Sequence, residues 1–122
     1  MTPGGFHSFE NRWALAEAFD FHQQLGRKAV AARIAGLTDR LRDGLHELPN
    51  VRLVSPDDAQ LRSAIVCFMA DRMDPREALD RLRIEGVHAS TTPYRDVFLR
   101  AGCPLWVDER GIDRALAAIG AL

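Results

Sequence analysis

Few residues in this sequence can carry chemistry. Lysine occurs once, as Lys28, and all the other residues among its 16 Lys plus Arg are arginine. A mechanism needing an amine nucleophile therefore has one candidate. Arg100 closes an apolar run, Val97-Phe98-Leu99, shortly before Gly102. A guanidinium there can take a substrate carboxylate in a bidentate grip that lysine does not reproduce. It can equally be structural, and the residues alone leave both readings open. Upstream, His88-Ala89-Ser90-Thr91-Thr92-Pro93-Tyr94 is a polar segment leaving a strand, the kind of place where ligand-facing hydroxyls gather, or else a plain turn around Pro93. Gly4-Gly5 ahead of a helix can bring backbone N–H groups close to a phosphate, helped by Ser8. No dinucleotide or P-loop glycine pattern occurs, and a glycine pair is more often a hinge.

Other polar residues argue for less. Arg27, Lys28, Arg33, Arg40 and Arg42 lie around one helix with Asp39 opposing them, which reads as an anion-binding face or as a solvated surface. His7, His22, His46 and His88 have no ligand spacing, so no metal site is expected. Cys103 follows Arg100 closely enough for the cation to lower its pKa, but no paired base is visible and an inert thiol is the plainer reading.

The elements that must position these residues fall into two halves. Phe6, Phe9, Trp13, Ala16 and Phe19 recur at helical spacing up to a break at Gly26. Val30, Ile34, Leu37, Leu41, Leu45 and Leu48 then form one stripe of a second helix, ended by Pro49-Asn50. Cations in its first turn oppose the helix dipole, which hints that it follows the first helix with little interruption. Val51–Val54 reads as a short strand, and Ala64–Ala70 as a central strand buried on both faces. Asp74-Pro75-Arg76-Glu77 opens a helix as a capping box, with Leu79, Leu82 and Ile84 as its buried side and Gly86 as its stop. Val87–Ser90 and Val97–Leu99 read as two more strands, the last ending at Arg100. Asp108 caps a final helix carrying Ile112, Leu116 and Ile119. The Ser55–Leu61 connection is too short for a parallel crossover. The fold class that follows is an α/β sandwich of the α+β type in two layers: long N-terminal helices, then a small mixed or antiparallel sheet covered by helices.

A chain of 122 residues with 47% hydrophobic and 27% charged residues is a small globular domain, too short for an active site between two domains. A net charge of −1 argues against a nucleic-acid partner. No apolar run is long enough for a membrane helix, and the first residues form no signal peptide. Cys67 and Cys103 make no disulfide framework and read as ordinary thiols of a cytoplasmic protein.

Three stretches, TPGGFHSFENRWALAEAFDFH, STTPY and LRAGCPLWVDERGIDRAL, together resemble the C-terminal part of class V aminotransferase-fold enzymes, in the isopenicillin-epimerase-like branch. The resemblance runs essentially end to end but covers only the terminal minority of such an enzyme. It implies a pyridoxal-phosphate cofactor, a large cofactor domain missing from this chain, and a homodimer. It divides the chain into a linking helix, 1–26, and a small C-terminal domain, 27–122. It also implies that Arg100 binds the substrate carboxylate, followed by Trp106 where an aromatic is preferred and by Asp113-Arg114 in the last helix.

The departures from the family's pattern are equally specific. The Schiff-base lysine of the family lies upstream, and Lys28 is at the wrong place for it. The residues pairing with the pyridine nitrogen and stacking on the cofactor also lie upstream. Where a Gly-Thr pair often contacts the neighbouring subunit's cofactor phosphate, this chain has Gly5-Phe6, leaving His7 or Ser8 for that role. The desulfurase cysteine has no counterpart in His88–Tyr94. The expectation is thus a portion of a pyridoxal-phosphate enzyme for amino-acid or amine substrates, with no catalytic residue of its own and inactive alone. The alternative is a free-standing ligand-binding or interaction module on the same scaffold.

Overall fold

The computed structural model describes residues 8–122, so Gly4-Gly5, Phe6 and His7 lie outside the described residues. The chain divides into two compact units, Met1–Ala32 and Arg33–Leu122.

In the first unit, α1 (Phe9–Leu25) ends at Gly26, whose φ of 84° is a conformation glycine adopts without a Cβ penalty. One residue later α2 (Arg27–His46) begins, which explains how cations come to occupy its first turn. No residue of α1 is buried. Phe9, Trp13 and Phe19 form the expected side, and Phe21 and Leu25 lie on the opposite one, all exposed. An α-helix apolar on both sides is built to be covered on both.

The second unit is a four-stranded sheet in the order β1-β2-β4-β3, with β1 (Val51–Leu53), β2 (Ile65–Ala70), β3 (Ser90–Thr91) and β4 (Leu99–Gly102). Every pairing is antiparallel. Together with α2, α3 (Pro75–Ile84) and α4 (Glu109–Gly120), it makes the two-layer α/β arrangement expected from the sequence. The core joins Leu37, Leu41 and Leu45 of α2 to Val66, Phe68, Ala78, Leu82, Leu99, Ile112 and Ile119. Alternation along β2 is strict: Val66, Phe68 and Ala70 are buried, while Cys67 and Met69 are half-buried and Ile65 is exposed. The strand is central but buried on one face only, because all the core's helical side chains meet the same side of the pleat.

Local signals act as expected at both helix starts. Asp74 accepts a hydrogen bond from the Arg76 amide at 2.9 Å, and Asp108 from that of Gly111 at 2.8 Å. Glu77 does not return the capping bond; it pairs with Arg81 instead. At the end of α3, Gly86 (φ 76°) donates to Arg83 O and Val87 to Leu82 O, a Schellman stop. Val87 therefore closes a helix rather than opening a strand, and β3 is only two residues long. Ile84, expected inside, is 83% exposed. Two residues from Leu82, it points away from it on the helix wheel.

Helices α2 and α4 are fastened along their length. Arg33 pairs with Glu109, and Arg40 holds Asp113 through Nε and a terminal nitrogen, both at 2.8 Å. Gly44 lies against Leu116, and a Cβ there would sit 2.2 Å from Leu116 Cδ1. A Cβ on Gly36 would meet nothing within 4 Å. Gly44→Val should lower stability by about 1–3 kcal/mol through overpacking. Gly36→Ala should raise it by about 0.5–1 kcal/mol through helix propensity. Urea denaturation of the two variants beside the parent checks both signs.

Three carboxyls are held below their ordinary pKa: Asp57 by hydrogen bonds from His46 and Arg42, Glu109 by Arg33, and Asp113 by Arg40. A depressed carboxyl favours the folded state above its unfolded pKa, and that contribution is lost as pH falls through the folded value. The denaturation midpoint should therefore drop below about pH 4. Asp113→Asn should lower the midpoint at neutral pH and flatten that acid limb; an unchanged limb would remove Asp113 from the account.

Candidate functional site

The same alternation that buries Leu99 turns its neighbour Arg100 to the opposite face of the sheet. Arg100 is the second residue of β4, not the residue that closes the strand, because pairing with β2 runs on to Gly102. Across the sheet it stands in one row with Cys67 of β2 and Ser90 of β3. The side chain is half-buried, and Nε donates to Ser90 Oγ at 3.0 Å. Among the described residues no carboxylate pairs with it. A guanidinium whose terminal nitrogens have no partner among the described residues, on the face away from the core, is able to donate a pair of bonds to a planar anion.

The polar segment ahead of it divides its hydroxyls between two tasks. Ser90 serves Arg100. Thr92, 8% exposed, donates to Asp96 O at 3.0 Å and accepts from the Phe98 amide at 2.9 Å, while its own amide donates to Phe98 O. This triple fastening closes the β3–β4 hairpin and sets the register that puts Ser90 opposite Arg100. His88 and Tyr94 are exposed. Sequence reasoning missed the Ser90–Arg100 bond, since ten residues separate the partners and only hairpin register reveals them.

Other expected sites look different in three dimensions. Three of the five cations of α2 meet internal acids, Arg33 and Arg40 on α4 and Arg42 on Asp57, while Arg27 and Lys28 stay exposed. Arg42, 2% exposed, also donates to Pro56 O at 2.8 Å and is a core arginine rather than part of an anion site. Burial pushes the Cys103 thiol up, and the hydroxyl of Thr38 pulls it only partly back, so Arg100 does not activate it. Ser8 donates to Glu10 Oε2, a carboxylate neighbour that a phosphate would repel. His7 lies outside the described residues, and Lys28 is exposed on α2. His46 contacts Asp57 at 3.2 Å. No group of three metal ligands exists among the described residues, and none of their helices is long and apolar enough to cross a membrane.

On the helix-covered side, a cavity of about 600 Å³ reaches Phe68 and Ile112, with His88, Trp106 and Arg114 at its mouth. Ala101 and Gly102 line it and Arg100 does not: Ala101 shares the face of Leu99, opposite to that of Arg100, and Gly102 ends the strand. Trp106 is 86% exposed there, and Asp113, beside Arg114, is the partner of Arg40.

Comparison with known proteins gives the geometry a context. The aminotransferase class-V family matches residues 7–92. Isopenicillin N epimerase of Streptomyces clavuligerus is 33% identical over 114 residues, covering 89% of this chain and 28% of the epimerase. Two solved structures of C-DES match with a TM-score of 0.74 and 26% identity over 84% of this chain. One is a lysine mutant with glycine covalently linked to its PLP cofactor, the other a complex of this cystine C-S lyase with its product cysteine persulfide. The chain spans 26% and 27% of those two chains.

Proposed function

Because the chain belongs to the aminotransferase class-V family, we propose that it is the C-terminal portion of a pyridoxal-phosphate enzyme acting on an amino acid, in which Arg100 grips the substrate carboxylate. The observation that carries this reading is the half-buried guanidinium of Arg100, free of any carboxylate among the described residues and borne on the face of the sheet away from the core. A cation left in that state is stable only where water or a ligand reaches it.

Among the described residues none supplies the cofactor's covalent attachment. The chain's only lysine, Lys28, is exposed on α2, and the hydroxyl of Ser8 faces a carboxylate. On this reading the cofactor belongs to the larger portion of the enzyme, where it supplies an electron sink for a carbanion at the substrate's Cα. The contribution of this chain is positional. Arg100 holds the carboxylate, and through it the orientation of Cα, while the core beneath Leu99 keeps β4 from shifting. On this reading residues 27–122 act as the small domain, and residues 1–26, which carry α1, link it to the rest.

In the complete enzyme, Arg100→Lys should raise KM by about 10–100-fold, since the charge survives but the planar fork is lost. The cofactor's absorbance should be unchanged. An unaltered KM would remove Arg100 from substrate binding. Micromolar binding of free amino acids by the 122-residue chain alone would instead favour a free-standing module.

The reading also assigns covers to α1: the larger portion on one side and a second subunit on the other. Burying each exposed aromatic is worth about 1.5–3 kcal/mol, so the isolated chain should self-associate through Phe9, Trp13 and Phe19. Sedimentation velocity should show association that Trp13→Ser with Phe19→Ser reduces. A clean monomer at high concentration, with α1 ordered, counts against the missing cover.

A further inference from the structure

Ser90 and Arg100 are directly opposed residues of an antiparallel pair, so their side chains leave the sheet on the same face. Nε of Arg100 donates to Ser90 Oγ at 3.0 Å in a half-buried setting. The bond does not depend on a loose loop, because buried Thr92 ties the hairpin to Asp96 O and to the Phe98 amide just beyond β3. Arginine can meet a carboxylate in two bidentate ways: side-on through Nε and one terminal nitrogen, or end-on through both terminal nitrogens. Here Nε is already engaged, and the two terminal nitrogens have no partner among the described residues.

We propose that Ser90 is the positioning residue of Arg100, locking its guanidinium so that a carboxylate is taken end-on by the two terminal nitrogens. The inference rests on the carboxylate reading of Arg100. Held at Nε, the guanidinium has lost rotation about its last bonds before the ligand arrives, so less freedom is lost on binding. The lock also selects direction: the carboxylate must approach along the long axis of the side chain, outward from the sheet. A side-on approach would have to displace the serine hydroxyl.

The test compares Ser90→Thr with Ser90→Val, two side chains of nearly equal shape, both suited to a strand, of which only threonine keeps the oxygen. In the ¹⁵N-labelled chain, the Nε–H resonance of Arg100 is assigned by its loss in Arg100→Lys. Acetate is then titrated at constant ionic strength, with chloride as the control. In the parent and in Ser90→Thr, acetate should shift the terminal N–H signals and leave Nε–H in place. In Ser90→Val, the Nε–H should exchange with solvent faster, should itself move with acetate, and the response per unit acetate should fall about three- to tenfold. Equal responses in the threonine and valine variants would overturn the role of Ser90 while leaving Arg100 as the anchor. Acetate acting no better than chloride in the parent would overturn the carboxylate reading and this inference with it. Amide spectra of the two variants show whether β3 keeps its pairing; if valine alone breaks it, Ser90→Ala replaces it and is judged by the same shifts.

Discussion

The one-sided burial of the sheet is the constraint from which the rest of this molecule follows. Leu99 is fully buried and Arg100 follows it directly, so the pleat alone decides which side chain joins the core and which faces out. A one-residue slip of β4 against β2 would bury the guanidinium and expose the leucine, exchanging a favourable burial for a costly one. The register Cys67–Arg100–Ser90 is thus enforced by apolar residues on the far side, together with the Thr92 bonds that close the β3–β4 hairpin. Helices α2, α3 and α4 hold the arginine in place by holding everything beneath it.

Two arginines of the unit show the two outcomes open to a guanidinium near a core. Arg42 is enclosed, and one of its terminal nitrogens donates both to the backbone carbonyl of Pro56 and to the carboxylate of Asp57. It draws the β1–β2 connection onto α2, where Arg62 adds two further bonds to Asp57 O. Removing a partner from such a group leaves a desolvated charge, so Arg42 is bound into the structure. Arg100 has one internal bond, from Nε to Ser90, and its terminal nitrogens have no partner among the described residues. The two differ in depth and in charge pairing: Arg42 is 2% exposed and paired with Asp57, whereas Arg100 is half-buried with no carboxylate partner among the described residues.

Much of the fold was legible because its signals are local. The stripe Leu37-Leu41-Leu45, the caps Asp74 and Asp108, and the short connection forcing β1 and β2 antiparallel all act within a few residues. Arg100 stood out for its place after an apolar run, and its family resemblance sharpened that. What stayed hidden is long-range. Nothing near Arg33 or Arg40 in sequence announces Glu109 or Asp113, so the pairing of these two cations of α2 with α4 was not visible. The two-face burial expected of β2 failed because a continuous apolar run does not say how many layers cover it. Val87 looked like strand because its hydrophobicity serves the stop of α3 equally well.

The outer strands of the sheet are its shortest: three residues in β1 and two in β3, with Pro93 soon after. So few free N–H and C=O groups give another chain almost no template for strand-by-strand addition, and proline denies it a further donor. The exposed apolar side chains lie elsewhere, chiefly on α1. Any clumping of this protein should therefore proceed through side-chain faces into compact, reversible assemblies. Among the described residues, the stacked backbone ladder of amyloid fibres has only these two short edges to start from.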